Sequence, residues 1–279
     1  MDGSAGAAMT VPSRASGHSF LPAPKPVLNP ERVEGSKGGG AFRFPGPRDR
    51  VTINGMTGSG KSTFALWLFA ESADFDKKPW IMIDFKKEEL IGQALSEGMF
   101  RERDVGAEIP AKPGVYVVRH NAREGMARVV DFLWAVYERG RVGLFLDEAS
   151  MLPELRGEAN SGGPFQSILS QGRSKEIPAW VLAQRPVNIN NMVFTENQFY
   201  SAFELAGEDD FKKITKHIPK HSADYDRVWG SERILPDHWS RWYDRGAKRS
   251  FILRPCPPQD KILDILAKRL DDAKAREAI

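Results

Sequence analysis

The sequence predicts an α/β protein built on a mainly parallel sheet, and three observations predict it. From Arg50 onward, short runs rich in Val, Ile, Leu and Phe alternate with stretches of helical period, the pattern of strands joined by crossover helices. Several runs are apolar without alternation, as expected of strands covered on both faces. A glycine-rich loop, Gly55-Met56-Thr57-Gly58-Ser59-Gly60-Lys61-Ser62, stands between the first run and the first helical stretch, the order that a phosphate-binding loop requires.

Residues 1–40 are rich in Gly, Ala, Ser and Pro and end in Gly35-Ser36-Lys37-Gly38-Gly39-Gly40. They hold too little apolar surface to offset the entropy of ordering and are expected to form a disordered tail. Residues 41–256 are expected to form the main domain, and 257–279 a C-terminal helix with Ile262, Ile265, Leu266 and Leu270 on one face. Strands are predicted over 50–54, 80–85, 114–119, 142–147, 179–183 and 199–204. Helices are predicted over 61–72, 87–97, 124–139, 163–172 and 209–216. Residues 239–255 read as a β-hairpin around Asp244-Arg245-Gly246.

In the glycine-rich loop, Gly55, Gly58 and Gly60 let successive backbone amides turn toward one centre, with Thr57 and Ser59 between them and Thr63 opening the next helix. The start of that helix adds unpaired amides and the positive end of its dipole, so the loop is expected to bind ATP. Lys61 is placed to reach the β- and γ-phosphates, and the Ser62 hydroxyl to ligate Mg2+. The apolar run 142–146 ends in Asp147-Glu148. In such a sheet this strand end opens into the same crevice, so Asp147 is the second expected metal residue and Glu148 the base or orienter of a lytic water. The run 179–183 ends in Gln184. Its side chain either relays the presence of the γ-phosphate or satisfies a loop backbone.

Forty Lys and Arg against 37 Asp and Glu leave a net charge of +3, so any nucleic-acid surface must be local. Residues 211–254 concentrate eleven Lys and Arg against five acids, with Trp229, Trp239, Trp242 and Tyr243 interleaved, a pattern that suits either phosphate-backbone contact or a charged face over core aromatics. The single cysteine, Cys256, excludes an internal disulfide framework and a cysteine-clustered zinc site. The longest apolar stretches, such as 64–70, fall far short of the roughly 20 residues that span a bilayer, so a cytoplasmic location is expected.

Thr57 to Ser62, Ile83-Asp84-Phe85-Lys86, Leu146-Asp147-Glu148, Gly172-Arg173-Ser174-Lys175 and Ala183-Gln184-Arg185-Pro186 together resemble, in order and spacing, the FtsK/HerA superfamily of DNA-pumping ATPases. The resemblance covers about residues 50–255. It implies a RecA-like P-loop NTPase core with a mainly parallel β-sheet flanked by helices, followed here by a C-terminal β-hairpin and helix. It also implies a homo-oligomeric ring, usually a hexamer, with active sites between subunits and Arg173 as the arginine finger offered to a neighbour's nucleotide. Arg185 is a second arginine candidate.

With neither a β-barrel before the core nor a DNA-reading module after it, the chain most resembles the small genome-packaging ATPases of membrane-containing icosahedral viruses and phages. That resemblance implies double-stranded DNA as partner, together with capsid or portal-vertex proteins and a viral membrane protein, and a location in the host cytoplasm and in association with the virion. Loops near 154–163 and 188–197 are further candidates to meet DNA. The alternatives are a cellular or conjugative translocase of the same superfamily, a Zot-like nucleotide-binding phage assembly protein, and a small-molecule kinase.

Overall fold

The computed structural model describes residues 42–120, 125–157, 162–230 and 235–277; the tail expected over 1–40 lies outside the described residues. The elements in chain order are β1 (Val51–Asn54), α1 (Lys61–Ser72), β2 (Pro79–Ile83), α2 (Glu89–Ser96), β3 (Arg101–Arg103), β4 (Gly114–Val118), α3 (Ala127–Arg139), β5 (Gly143–Leu146), α4 (Pro164–Gln171), β6 (Ala179–Ala183), α5 (Met192–Thr195), β7 (Phe199–Ala202), α6 (Glu208–Thr215), α7 (Tyr225–Trp229), β8 (Ser240–Asp244), β9 (Arg249–Leu253) and α8 (Gln259–Glu277). Among the described residues the strands form one nine-stranded sheet in the order β3-β4-β2-β5-β6-β1-β7-β8-β9. Pairing is parallel from β3 through β7 and antiparallel from β7 to β9. β6 therefore lies between the strand that leads into the glycine-rich loop and the strand that ends in Asp147.

Side chains of period two divide the sheet into two buried faces. Val51, Ile53, Trp80, Met82, Phe145, Trp180, Leu182 and Phe199 point to one face, where α1, α2 and α8 cover them. Ile81, Ile83, Leu144, Leu146, Val181 and Tyr200 point to the other, beneath α3, α4, α5, α6 and α7. Both faces are buried, which is why β2, β4, β5 and β6 lack polar alternation. In α1 every residue from Phe64 to Ala70 is buried, because α8 packs across its outer side through Ile262, Leu263 and Leu266. Arg269 of α8 donates to the Ala70 and Ala73 carbonyls, both at 2.7 Å, so the C-terminal helix caps the end of α1.

Element boundaries shift from the expected ones for local reasons. β2 stops at Ile83 rather than Phe85 because the Asp84 carboxylate accepts the Glu88 amide at 2.9 Å and turns the chain. Lys87 sits at φ 57°, so α2 cannot start there. β3 and the short α5 and α7 escaped the sequence reading, since three to five residues carry no measurable period. β3 is an edge strand of exposed charges whose Arg101 and Arg103 lie over the Tyr116 ring at 5.7 and 5.6 Å, a composition that discourages edge-to-edge pairing.

Candidate nucleotide site

The glycine-rich loop is pinned where it leaves β1: Gly55 N donates to Ala183 O at 3.1 Å and Met56 N to Glu204 O at 2.9 Å. A Cβ at Gly55 would lie 2.6 Å from Ser59 Oγ and 2.7 Å from Phe203 Cβ, so only glycine permits this closure. Gly60 has φ 91°, a left-handed conformation that delivers the chain into α1. The first turn of α1 contains no acid, and no side chain caps its N-terminus, so its amides and dipole remain available to an anion. Ser59 Oγ is buried without a hydrogen-bond partner. An open turn of backbone amides with an orphaned hydroxyl beside it suits a phosphate group.

Lys61 is 4% exposed. Burial, with Lys86 adding to it, lowers its pKa to about 8 against the pull of Glu148, Glu88 and Asp147. A desolvated cation with no anion seated on it is expected to gain from a phosphate. Asp147 is fully buried, and its two carboxylate oxygens accept the Phe85 amide at 3.1 Å and the Lys86 amide at 3.0 Å. Burial raises its pKa to about 7 despite those amides, with Asp84 adding to the rise. Glu148 pairs with Lys86 Nζ at 2.7 Å and accepts the Ser150 hydroxyl at 2.9 Å. Its carboxylate is thus aimed by two partners.

Four residues beyond the expected set belong to the site. Ser62 Oγ donates to Glu88 Oε1 at 2.8 Å, Glu88 is hung on Asp84, and Asp84 accepts Arg119 Nε at 3.0 Å. Glu88 and Lys86 line the same cavity as the loop. Asp84, Lys86 and Glu88 come from the end of β2, adjacent to β5, and Arg119 from the end of β4, and no spacing rule relates them to the glycine-rich motif. Only the resemblance, through the quoted Asp84 and Lys86, pointed there.

The cavity, about 510 Å³, is lined by Met56, Thr57, Gly58, Gly60, Lys61, Ser62, Thr63, Lys86, Glu88, Gln184, Phe203, His238 and the segment 255–259. Its size suits a nucleotide. Gln184 is therefore brought to the site as expected. Among the described residues no three His, Cys, Asp or Glu side chains converge to hold a metal alone, so a cation here would be shared with phosphate oxygens, as is usual for magnesium. Ser62, with Asp147 behind it, offers the oxygen donors such an ion takes.

Arg173 does not join this group. It follows α4 and precedes β6, and its charge is felt by Arg50, which precedes β1. Since β1 and β6 are parallel, Arg173 lies at the opposite end of the strands from its own phosphate loop. It is exposed. Arg185 is near the site but committed within the fold, donating to the fully buried Asp210 at 2.7 Å.

Of the two readings of 211–254, the aromatics fit a charged face over the core: Trp229, Trp242 and Tyr243 are buried core residues at no more than 1% exposure, and Trp239 is partly buried against the core. Several cations of the segment also serve the fold. Arg241 is buried and donates to Val228 O, Arg245 donates to Thr195 O, Phe194 O and Tyr200 Oη, and Lys212 pairs with Glu208. Arg233 lies outside the described residues. Lys216, Lys220 and Lys248 are exposed. In the two loops, Glu154 is buried and accepts the Phe165 and Gln166 amides at the start of α4, and Asn190 and Asn197 are buried. Gly157 N donates to Asn188 O at 2.9 Å and Asn190 N to Leu155 O at 2.8 Å, so the two loops are joined. Residues 158–161 lie outside the described residues.

No family model matches the chain. The fold is similar to the genome packaging NTPase B204 of Sulfolobus turreted icosahedral virus 2 in complex with AMPPCP, with a TM-score of 0.57 at 15% identity over 76% of this chain and 100% of that one. It is likewise similar to B204, the DNA-packaging ATPase of Sulfolobus turreted icosahedral virus, with a TM-score of 0.54 at 17% identity over 77% and 100%. These likenesses support the RecA-like P-loop arrangement of the sheet. In sequence the chain is 31% identical over 240 residues to the DNA packaging ATPase P9 of Enterobacteria phage PRD1, covering 85% of this chain and 98% of that protein. With the phosphate loop and Gln184 lining one cavity, the Asp147-Glu148 strand end near enough to act on Lys61, and that identity running through nearly the whole of its relative, the chain belongs to the family of the viral DNA packaging ATPase P9.

Proposed function

We propose that the protein is an ATP-driven motor that moves double-stranded DNA into a virus capsid, working as a homo-oligomeric ring with the nucleotide between subunits. The observation that carries the reading is the division of catalytic parts. The phosphate loop, Asp147, Glu148 and Gln184 share one end of the sheet, while the exposed Arg173 sits at the other, where only another subunit's nucleotide is in reach.

In this reading the loop amides and Lys61 hold the β- and γ-phosphates. Ser62, turning its hydroxyl from Glu88, and Asp147 would hold magnesium, which would supply positive charge to the phosphates and draw the buried Asp147 carboxyl into its ionised form. Glu148, aimed by Lys86 and Ser150, orients the attacking water and takes its proton as the water oxygen bonds to the γ-phosphorus and the bond to the β–γ bridging oxygen breaks, leaving ADP and phosphate. Gln184 senses the γ-phosphate, and the neighbour's Arg173 stabilises the charge of the transition state. The kinship with P9, and the likeness in fold to B204, support duplex DNA as the substrate that this cycle moves. A six-membered ring docked on capsid or portal-vertex proteins, and on a viral membrane protein, completes the proposal.

The test is ATP turnover with and without unrelated linear duplexes. The reading expects magnesium-dependent hydrolysis that rises on adding duplex of any sequence and vanishes in Lys61→Ala. Turnover indifferent to DNA would remove the motor and leave a nucleotide-binding assembly protein.

A further inference from the structure

The turn Pro236-Asp237-His238-Trp239 lies outside every motif of the site, yet it stands on the phosphate loop. Trp239 N donates to Pro236 O at 3.0 Å and closes the turn, with His238 at φ 62° inside it. A left-handed backbone is uncommon for a residue with a bulky side chain and marks a position held by its surroundings. The ring leans on the loop: a Cβ built on Gly60 would lie 3.0 Å from His238 Nδ1 and 3.5 Å from its Cβ and Cγ. Gly60 is glycine for its own φ, and its lack of a side chain leaves room for this approach.

His238 lines the 510 Å³ cavity together with Gly58, Gly60 and Lys61, and it also walls a smaller cavity of about 170 Å³ beside Ser59 and Glu204. The side chain is exposed, and among the described residues no hydrogen bond or ion pair occupies its ring nitrogens. The turn is nonetheless anchored. Trp239 packs against the core, and Arg254 lies over its ring at 5.9 Å, directly before the segment 255–259 that forms another wall of the cavity. An imidazole in any protonation state carries at least one N–H, and this one is held over the mouth of an anion cradle with no protein acceptor among the described residues.

We propose that His238 is a nucleotide-binding residue, donating an N–H to a phosphate oxygen of the nucleotide seated in the loop, and that the 236–239 turn clamps the loop's open side. This rests on the assignment of the cavity to nucleotide. It adds a ligand group from the entry to β8, which lies far in sequence from the phosphate loop and from β5 and β6.

The experiment titrates the full chain with AMPPCP and, separately, with inorganic tripolyphosphate. His238→Ala should bind both about tenfold more weakly, and His238→Gln, which keeps an N–H, should stay within about threefold of wild type. His238→Gly separates contact from folding, because glycine adopts φ 62° without strain. It should melt no lower than wild type and yet bind as weakly as His238→Ala. Unchanged affinity of both His238→Ala and His238→Gly for both probes would overturn the proposal, and a loss confined to AMPPCP would overturn the phosphate contact. If instead wild type bound neither probe, or Lys61→Ala bound as well as wild type, the assignment of the cavity itself would fail.

Discussion

Glu148 is held by two partners with different jobs: Lys86 draws one carboxylate oxygen at 2.7 Å, and the Ser150 hydroxyl fixes the other at 2.9 Å. Glu148→Gln keeps the shape and both neighbours but cannot take a proton. It should bind ATP within a few-fold of wild type and lose about 10²- to 10⁴-fold in turnover, the usual worth of a general base; single-turnover hydrolysis beside equilibrium binding checks this, and equal turnover removes Glu148 from the role. At this scale, legibility follows chemistry. Gly55, Gly58, Gly60, Lys61 and Ser62 announce themselves because phosphate recognition fixes both residue type and spacing along one stretch of chain. Asp147 and Glu148 are readable because a strand end before a turn is a local pattern. Glu88, Lys86 and His238 reach the cavity from other strand ends and turns, so their place depends on how β2 and β8 lie in the sheet, which no local spacing encodes.

His217, just beyond α6, stacks on Phe194 of α5 with ring centroids 5.3 Å apart and an interplanar angle of 10°. Burial lowers its pKa to about 4, and Lys213, Lys216 and Arg245 add to the effect. The folded state therefore binds fewer protons than the unfolded state between pH 4 and the unfolded value near 6.5. Stability that depends on a neutral His217 is present above about pH 6.5 and is lost as the pH falls toward 4. Replacing the imidazole by a phenyl ring, His217→Phe, keeps the stack and removes the titration. Denaturant midpoints measured from pH 7 to pH 4 should fall less steeply in the variant, and parallel curves would refute the assignment. The same pairing illustrates the middle scale of legibility. Helical period identified α3, α6 and α8, but not that α8 lies across α1, nor that α5, only four residues long, receives His217. The aromatics of 211–254 left two readings open for a related reason: a Trp in a basic stretch looks the same whether its ring faces DNA or a sheet, and only the β7–β8–β9 pairing turns Trp242 and Tyr243 to opposite buried faces.

At the scale of the whole molecule, the strands run parallel from the end that carries Arg173 to the end that carries the phosphate loop, so one subunit cannot bring the two together. The parallel order was legible from alternating apolar runs and helices, and the remote position of Arg173 follows from it, since a loop between a helix and the next parallel strand lies at the strand's starting end. The central claim is that neighbouring subunits complete each other's sites in a DNA-driven ATPase. Arg173→Ala subunits retain a sound phosphate loop and Lys61→Ala subunits retain a sound arginine, so each should be nearly inactive alone. The most direct measurement is duplex-stimulated ATP turnover of the two variants mixed in varied ratio, in assemblies verified to contain both. The account predicts activity that appears on mixing and peaks at an intermediate ratio; a mixture no more active than its separate components, at every ratio, would contradict it.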